Sequence, residues 1–269
     1  MSEPIQYERT HSTPRIAYAW AGSGAETIIF LHGIGGNKTN WLEQLSFFAE
    51  RGYRAVAWDL RGYGDSDDYE GAFVFEEISA DLIRLMDELN VEKAHFVGLS
   101  MGGRILMDFA YRYSERIQSL TICAAFPSFG RALSDEQRND YVRLRKQPLL
   151  AGRSFEELAP ELVRSLIGPD APKPVYDALH ASICQLRQDS YLKAIEAAVF
   201  FDRSKEIQEI QSPTLLLYAE HDRLTPPELG KQVQALMPKA QMQILLNCGH
   251  LMNLEAGDHF NQAVYQFLQ

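Results

Sequence analysis

Six short apolar runs constrain this chain more than any other feature of its sequence. They are Ile-Ile-Phe-Leu at 28–31, Ala-Val-Ala-Trp at 55–58, Phe-Val at 96–97, Leu-Thr-Ile at 120–122, Leu-Leu-Leu at 215–217 and Ile-Leu-Leu at 244–246. Runs this short, without polar alternation, predict strands buried on both faces, as in a parallel sheet. Helical patterns fill the gaps. Asn40 and Glu43 form a capping-box pattern for a helix carrying Trp41, Leu42, Leu45 and Phe48, stopped near Gly52. Ile78, Leu82, Met86 and Leu89 recur at helical spacing, and a third helix follows Ser100. Thr225-Pro226-Pro227-Glu228 marks a helix start with threonine as the cap, and Phe260, Val264 and Phe267 mark the last helix. This alternation predicts an α/β fold, a mostly parallel sheet with helices on both faces.

The alternation breaks once. Residues 128–205 carry no strand pattern but four helical ones, at 134–145, 155–166, 175–186 and 191–201. The expected organisation is therefore one core domain, 1–127 and 206–269, interrupted by a helical cap at 128–205. Ligands of open α/β sheets bind beyond the carboxyl ends of the strands, where such a cap would enclose them. The 269 residues suffice for one large core, and 46% apolar with 23% charged residues is an ordinary globular composition. A net charge of −10 argues against nucleic acid and anionic membranes as partners. Cys123, Cys184 and Cys248 are odd in number and far apart, which argues for a reducing compartment. Residues 1–15 lack the apolar core of a signal peptide, and no run approaches the ~20 residues of a membrane span. The expected address is the cytoplasm. The sequence leaves monomer and homodimer open.

Chemistry concentrates around Gly98-Leu99-Ser100-Met101-Gly102, which follows the Phe96-Val97 run and precedes a helical pattern. A serine on a sharp strand-to-helix turn stands above the sheet edge in strained backbone geometry, and glycines on either side make room for the turn. Its hydroxyl needs a base, and the base an orienting acid. Asp222, beyond the 215–217 run, and His250, beyond the 244–246 run, supply both in the order the turn predicts. Glu220 and His221 flank the acid, and His11, His95, His180 and His259 lie elsewhere. An oxyanion requires two backbone donors. The expected ones are the N–H groups of Met101 and of Ile34, the latter in His32-Gly33-Ile34-Gly35-Gly36, with Gly33 next in line. His32 is expected to fix that loop by hydrogen bonding. No zinc motif or cysteine cluster appears, so no metal or organic cofactor is expected.

With these landmarks and Asp59-Leu60-Arg61-Gly62-Tyr63-Gly64-Asp65-Ser66, the chain resembles the α/β-hydrolase superfamily nearly end to end. The resemblance implies eight strands with the second antiparallel, the first two between Tyr7 and Trp20, the cap after the sixth, and a structural role for Asp59 and Asp65. Ser100-Met101-Gly102-Gly103 and the segment from His250 to Glu255 are similar to 3-oxoadipate enol-lactonases and related esterases. The meta-cleavage product hydrolases, which cut carbon–carbon bonds, are similar through the elbow and Asn40-Trp41, but many of them carry tryptophan where this chain has Leu251. The first expectation is thus a serine hydrolase of small esters or lactones and the second a carbon–carbon hydrolase. A small-molecule receptor or an interaction protein on the same fold is the rival from another class.

The expected substrate contacts are Gly33, Trp41, Phe126, Phe129, Phe200 and Leu251, together with Val199. The insertion holds 12 lysines and arginines against 11 acids, a net +1, so the rest of the chain carries −11. A near-neutral cap can offer an arginine to a substrate carboxylate, with Arg131 and Arg153 as the candidates.

Overall fold

A computed structural model of the chain describes residues 4–130 and 133–269; Arg131 lies outside them. Its centre is an eight-stranded sheet in the order β1-β2-β4-β3-β5-β6-β7-β8. The strands are β1 (Gln6–Arg9), β2 (Ala17–Ala21), β3 (Glu26–Leu31), β4 (Tyr53–Trp58), β5 (Ala94–Leu99), β6 (Ile117–Cys123), β7 (Thr214–Ala219) and β8 (Gln241–Leu245). β2 runs antiparallel to both its neighbours, and every pair from β3 onward is parallel.

The central runs are buried on both faces, as their lack of alternation requires. On β3, Ile29 and Leu31 enter one apolar cluster while Ile28 and Phe30 enter the other. The first cluster is closed by α2 (Phe75–Glu88), α3 (Met101–Arg112) and α8 (Pro227–Leu236), the second by α1 (Leu42–Ala49) and α10 (Gly257–Leu268). Each such side chain contributes about 1.5–3 kcal/mol by leaving water. The last run is different. β8 has a neighbour on one side only, and Ile244 and Leu246 are 37% and 63% exposed.

Two helix starts also differ from expectation. The capping box forms between Asn37 and Asn40 around a 3-10 turn over Lys38–Trp41, so α1 begins at Leu42 without a side-chain cap. Pro226, not Thr225, is the cap of α8, because the Thr225 hydroxyl is committed to Asp222.

Between β6 and β7 lie α4 (Asp135–Leu150), α5 (Phe155–Leu166), α6 (Lys173–Cys184) and α7 (Gln188–Phe200). Ser134 with Gln137, and Ser154 with Glu157, cap the first two reciprocally. The two ends of the insertion meet where Ser128 and Asp202 form an antiparallel bridge. No helix among the described residues is long and apolar enough to cross a membrane.

Candidate active site

Ser100 is the single residue between β5 and α3. Its φ of 56° and ψ of −110° lie outside the regions a side-chain-bearing residue favours. The surroundings impose this. A Cβ on Gly98 would stand 2.5 Å from the Gly102 carbonyl oxygen, and one on Gly102 would stand 2.2 Å from the Leu31 carbonyl oxygen. Neither backbone can retreat, so strand and helix meet at this angle only with glycine at both positions. The Ser100 N–H donates to the Cys123 carbonyl at 2.8 Å, tying the turn to the end of β6.

Asp222 follows β7 and is 3% exposed, yet every oxygen is bonded. Oδ1 accepts the N–H groups of Leu224 and Thr225 at 2.8 and 2.9 Å, while Oδ2 accepts the Thr225 hydroxyl and faces His250 Nδ1 at 2.7 Å. Burial alone raises this carboxyl, but the charge and hydrogen bond of His250 and the bonds from Thr225 outweigh it and hold the pKa at about 2. With Nδ1 engaged by a carboxylate, the histidine keeps its proton there and offers Nε2 as an acceptor. The His250 N–H donates to the Leu166 carbonyl at 2.8 Å, so the end of α5 holds the histidine loop. Glu255 holds it as well. Its Oε2 accepts Gly249 N–H at 3.0 Å and Gly168 N–H at 2.7 Å, and its Oε1 accepts Leu251 N–H at 3.2 Å.

Ser100 and His250 line one cavity of about 510 Å³. Met101, also in its wall, is the first residue of α3, where helical N–H groups have no intrahelical acceptor. Gly33 lies against the serine: a Cβ there would be 3.2 Å from Ser100 Cβ. The loop turns tightly, with Gly36 N–H donating to the Gly33 carbonyl at 3.0 Å, and Ile34 occupies the turn beside the cavity. His32 fixes this loop with both ring nitrogens. Nε2 accepts Leu60 N–H at 3.0 Å and Nδ1 donates to the Gly33 carbonyl at 2.8 Å. Burial lowers its pKa, which suits the neutral ring those bonds require. Asp59 is a structural anchor, accepting Lys38 Nζ at 2.7 Å and Asp65 N–H at 2.8 Å.

Of the expected substrate contacts, Gly33, Trp41, Phe126, Phe129, Val199 and Leu251 line the cavity. Phe200 does not. It is 44% exposed with Arg138 over its ring, because Ala194, Ile195, Ala198 and Val199 occupy the inner face of α7. Arg153 is exposed ahead of α5 and donates to the Glu157 carbonyl at 3.3 Å, away from the cavity. Three other arginines reach the wall instead: Arg104, Arg145 and Arg223. Arg104 carried a signal in the sequence. It is a charged residue one turn beyond Ser100 on a helix with nothing else charged before Asp108, and all residues of α3 from Met101 to Ala110 are buried.

The profile of a family described as "alpha/beta hydrolase fold" matches residues 26–257. A 2-hydroxy-6-oxononadienedioate/2-hydroxy-6-oxononatrienedioate hydrolase of Cupriavidus pinatubonensis is 30% identical over 92% of this chain and 88% of its own. The hydrolase of the same name from Escherichia coli K12 is 26% identical over 98% and 94%. A thermophilic esterase from Thermogutta terrifontis superposes with a TM-score of 0.85 at 25% identity, covering 98% of both chains. An enol-lactonase from Burkholderia xenovorans shares the fold, with a TM-score of 0.84 at 23% identity over 97% and 99%.

Proposed function

We propose that this chain, which belongs to the α/β-hydrolase family, is a hydrolase that attacks a substrate carbonyl with Ser100, uses His250 as base and acid, and holds His250 with Asp222. One observation carries the reading: a strained serine between strand and helix shares a cavity with a histidine whose Nδ1 sits 2.7 Å from a fully bonded aspartate. Residues 128–205 act as the cap, and 1–127 with 206–269 as the core that supplies the three groups. Ser100 Oγ bonds to the carbonyl carbon while His250 Nε2 takes its proton, and the N–H groups of Met101 and Ile34 receive the oxyanion. The scissile bond then breaks as the proton passes from His250 to the leaving atom. Water, deprotonated by His250, adds to the acyl-serine; a carboxylic acid leaves and the serine recovers its proton.

The relatives bear on which bond is cut. The two sequence relatives, from Cupriavidus pinatubonensis and Escherichia coli, are named as hydrolases of 2-hydroxy-6-oxononadienedioate and its triene analogue. Those names support the carbon–carbon hydrolase reading, with a vinylogous diketone acid as substrate, ahead of the ester or lactone that the sequence puts first. The ester or lactone reading stays second, favoured by Leu251 in the cavity wall where many carbon–carbon hydrolases of the family carry tryptophan.

The test is a substrate panel: a synthetic vinylogous diketone acid, followed by loss of its dienolate absorbance, beside p-nitrophenyl acetate and an enol-lactone. The first reading expects the highest kcat/KM on the diketone and near-complete loss in Ser100→Ala. Turnover of the esters alone replaces it with the second, and undiminished activity in Ser100→Ala sinks both.

A further inference from the structure

The cavity is charged oppositely to the chain around it. The protein carries −10 overall, yet among the described residues no aspartate or glutamate lines the cavity, while three arginines do. Arg223 is already engaged, donating to the Arg164 and Ile167 carbonyls at 2.6 and 3.5 Å at the end of α5. Arg104 is different. Its backbone N–H donates to the Ser100 carbonyl at 3.1 Å, which puts it one helical turn beyond the serine. The residue is 6% exposed, and its guanidinium lies 4.5 Å from the centre of the Phe126 ring and 4.7 Å from that of Phe129. Nη1 donates to the carbonyl of Ala198, in the last turn of α7 where helical carbonyls lack partners.

Among the described residues no carboxylate pairs with Arg104; the ionisable groups that act on it are the phenols of Tyr141 and Tyr218. Burial pulls its pKa down to about 10 against the pull of those two phenols, which leaves it cationic at neutral pH. A buried cation with five N–H donors and no anion is costly, and two ring faces with one carbonyl offset only part of that cost. The missing partner has room to approach. Tyr141 lines the same wall and lies in the field of both Arg104 and Arg145, and the Arg145 guanidinium sits 3.3 Å over the Tyr141 ring. Arg104 and Tyr141 thus flank Phe129 in an otherwise apolar part of the wall that includes Phe126, Ile195 and Val199, with the exposed Arg145 stacked on the phenol ring.

We propose that Arg104, assisted by Tyr141 and Arg145, receives a carboxylate on the non-reacting part of the substrate, and so selects acids over their neutral analogues. The proposal rests on the serine-hydrolase reading for treating the bound acid as substrate. A planar monoanion matches the guanidinium fork, whereas a phosphate dianion brings a larger desolvation cost into a wall this apolar. The contact is made alike in ground and transition states, so its loss raises KM more than it lowers kcat.

The deciding experiment uses full-length Ser100→Ala protein and calorimetry with 4-phenylbutanoate, 4-phenylbutanamide and phenyl phosphate, repeated with Arg104→Met added. The acid should bind at least about tenfold tighter than the amide, and Arg104→Met should erase that gap. Equal binding of acid and amide overturns the proposal, as does a gap that survives Arg104→Met or tighter binding of phenyl phosphate. Circular dichroism checks the fold of the variant. If Arg104→Met fails to fold, Arg104→Lys replaces it and should narrow the gap, because lysine has no planar fork; an unchanged gap then counts against the proposal. Fluorophosphonate labelling of the wild type keeps the two readings apart. Labelling of Ser100 without an acid–amide gap removes the anion subsite alone. A gap without labelling removes the serine mechanism and leaves the subsite standing.

Discussion

The floor and the roof of the cavity are built by different means. The floor, at the carboxyl ends of β3, β5, β7 and β8, is set by backbone: a left-handed serine, glycines with no room for a side chain, and an aspartate whose four hydrogen bonds leave it no freedom. The roof, α4 to α7, faces the cavity mostly with apolar side chains that carry little directional information, Tyr141, Arg145 and Ser165 apart, and a few polar contacts join it to the floor. Ser182 accepts from Asn40, Leu166 accepts from His250, Gly168 donates to Glu255, and Ala198 accepts from Arg104. Each of these contacts ends on or beside a residue of the proposed chemistry. On the proposed function, the floor sets which reaction occurs, while the roof, with Arg104 packed against it, sets what is admitted. Substitutions in the two regions should therefore fail in different ways.

The largest effect belongs to the floor. Ser100→Ala should lower kcat by roughly 10⁴-fold or more while leaving the melting temperature close to that of the wild type, since alanine inherits the same backbone strain. A matching loss of stability would mean that the serine hydroxyl holds the turn rather than the reaction. Gly249→Ala follows in size and acts on the seam. Its Cβ would stand 2.4 Å from the Gly168 nitrogen and 2.7 Å from the Ile167 carbonyl carbon, both backbone atoms of the roof. The roof segment must move, and the His250 loop with it, so kcat and thermal stability should fall together. A drop in kcat without a drop in melting temperature would show that floor and roof are less tightly joined here than the contacts indicate.

The two regions were also unequally legible. β3 to β7 were visible because a strand buried on both faces has no polar alternation to hide it, and β8 was visible too, although Ile244 within it and Leu246 just past its end are exposed. Ser100, Asp222 and His250 stand out because each lies at or soon after the carboxyl end of a strand, so one-dimensional order puts them at one sheet edge. Caps were less legible. Asn37 and Asn40 close a 3-10 turn that sequence spacing alone cannot separate from the helix after it, and Thr225 serves Asp222 instead of α8. In the roof, the four helices were visible but their rotation was not. A shift of one residue in phase turns Phe200 outward and Val199 inward. Arg104 escaped for the same reason: an arginine on a helix reads as a solvated one until a neighbouring helix covers it.

A smaller effect tests the floor's electrostatics. Asp222 titrates near 2 against an ordinary value of 3.8. A carboxyl whose pKa is lowered in the folded state stabilises the protein above its unfolded pKa, and that stability is lost as pH falls through the folded one. The difference amounts to roughly 2 kcal/mol. Urea unfolding of the wild type should therefore weaken between about pH 4 and pH 2 by this amount more than that of Asp222→Asn. Parallel curves for the two proteins would place the acid sensitivity elsewhere.

The smallest effect falls on the roof's attachment. Ser182, on α6, is 4% exposed, and its hydroxyl accepts from Asn40 Nδ2 at 3.1 Å and Asn37 Nδ2 at 3.3 Å. Both asparagines belong to the 3-10 turn that follows the Gly33–Gly36 loop, so this hydroxyl staples the roof beside the proposed oxyanion donor. Ser182→Ala leaves two buried amide donors without that acceptor, a cost of about 1–3 kcal/mol. The melting temperature should drop by a few degrees, roughly 2–4 °C per kcal/mol for a chain near this size. A loosened roof changes admission more than chemistry, so KM for a bulky substrate should rise several-fold while kcat for p-nitrophenyl acetate stays within about twofold. A fall in kcat shared by large and small substrates would place Ser182 with the floor, as a support for the loop that carries Ile34.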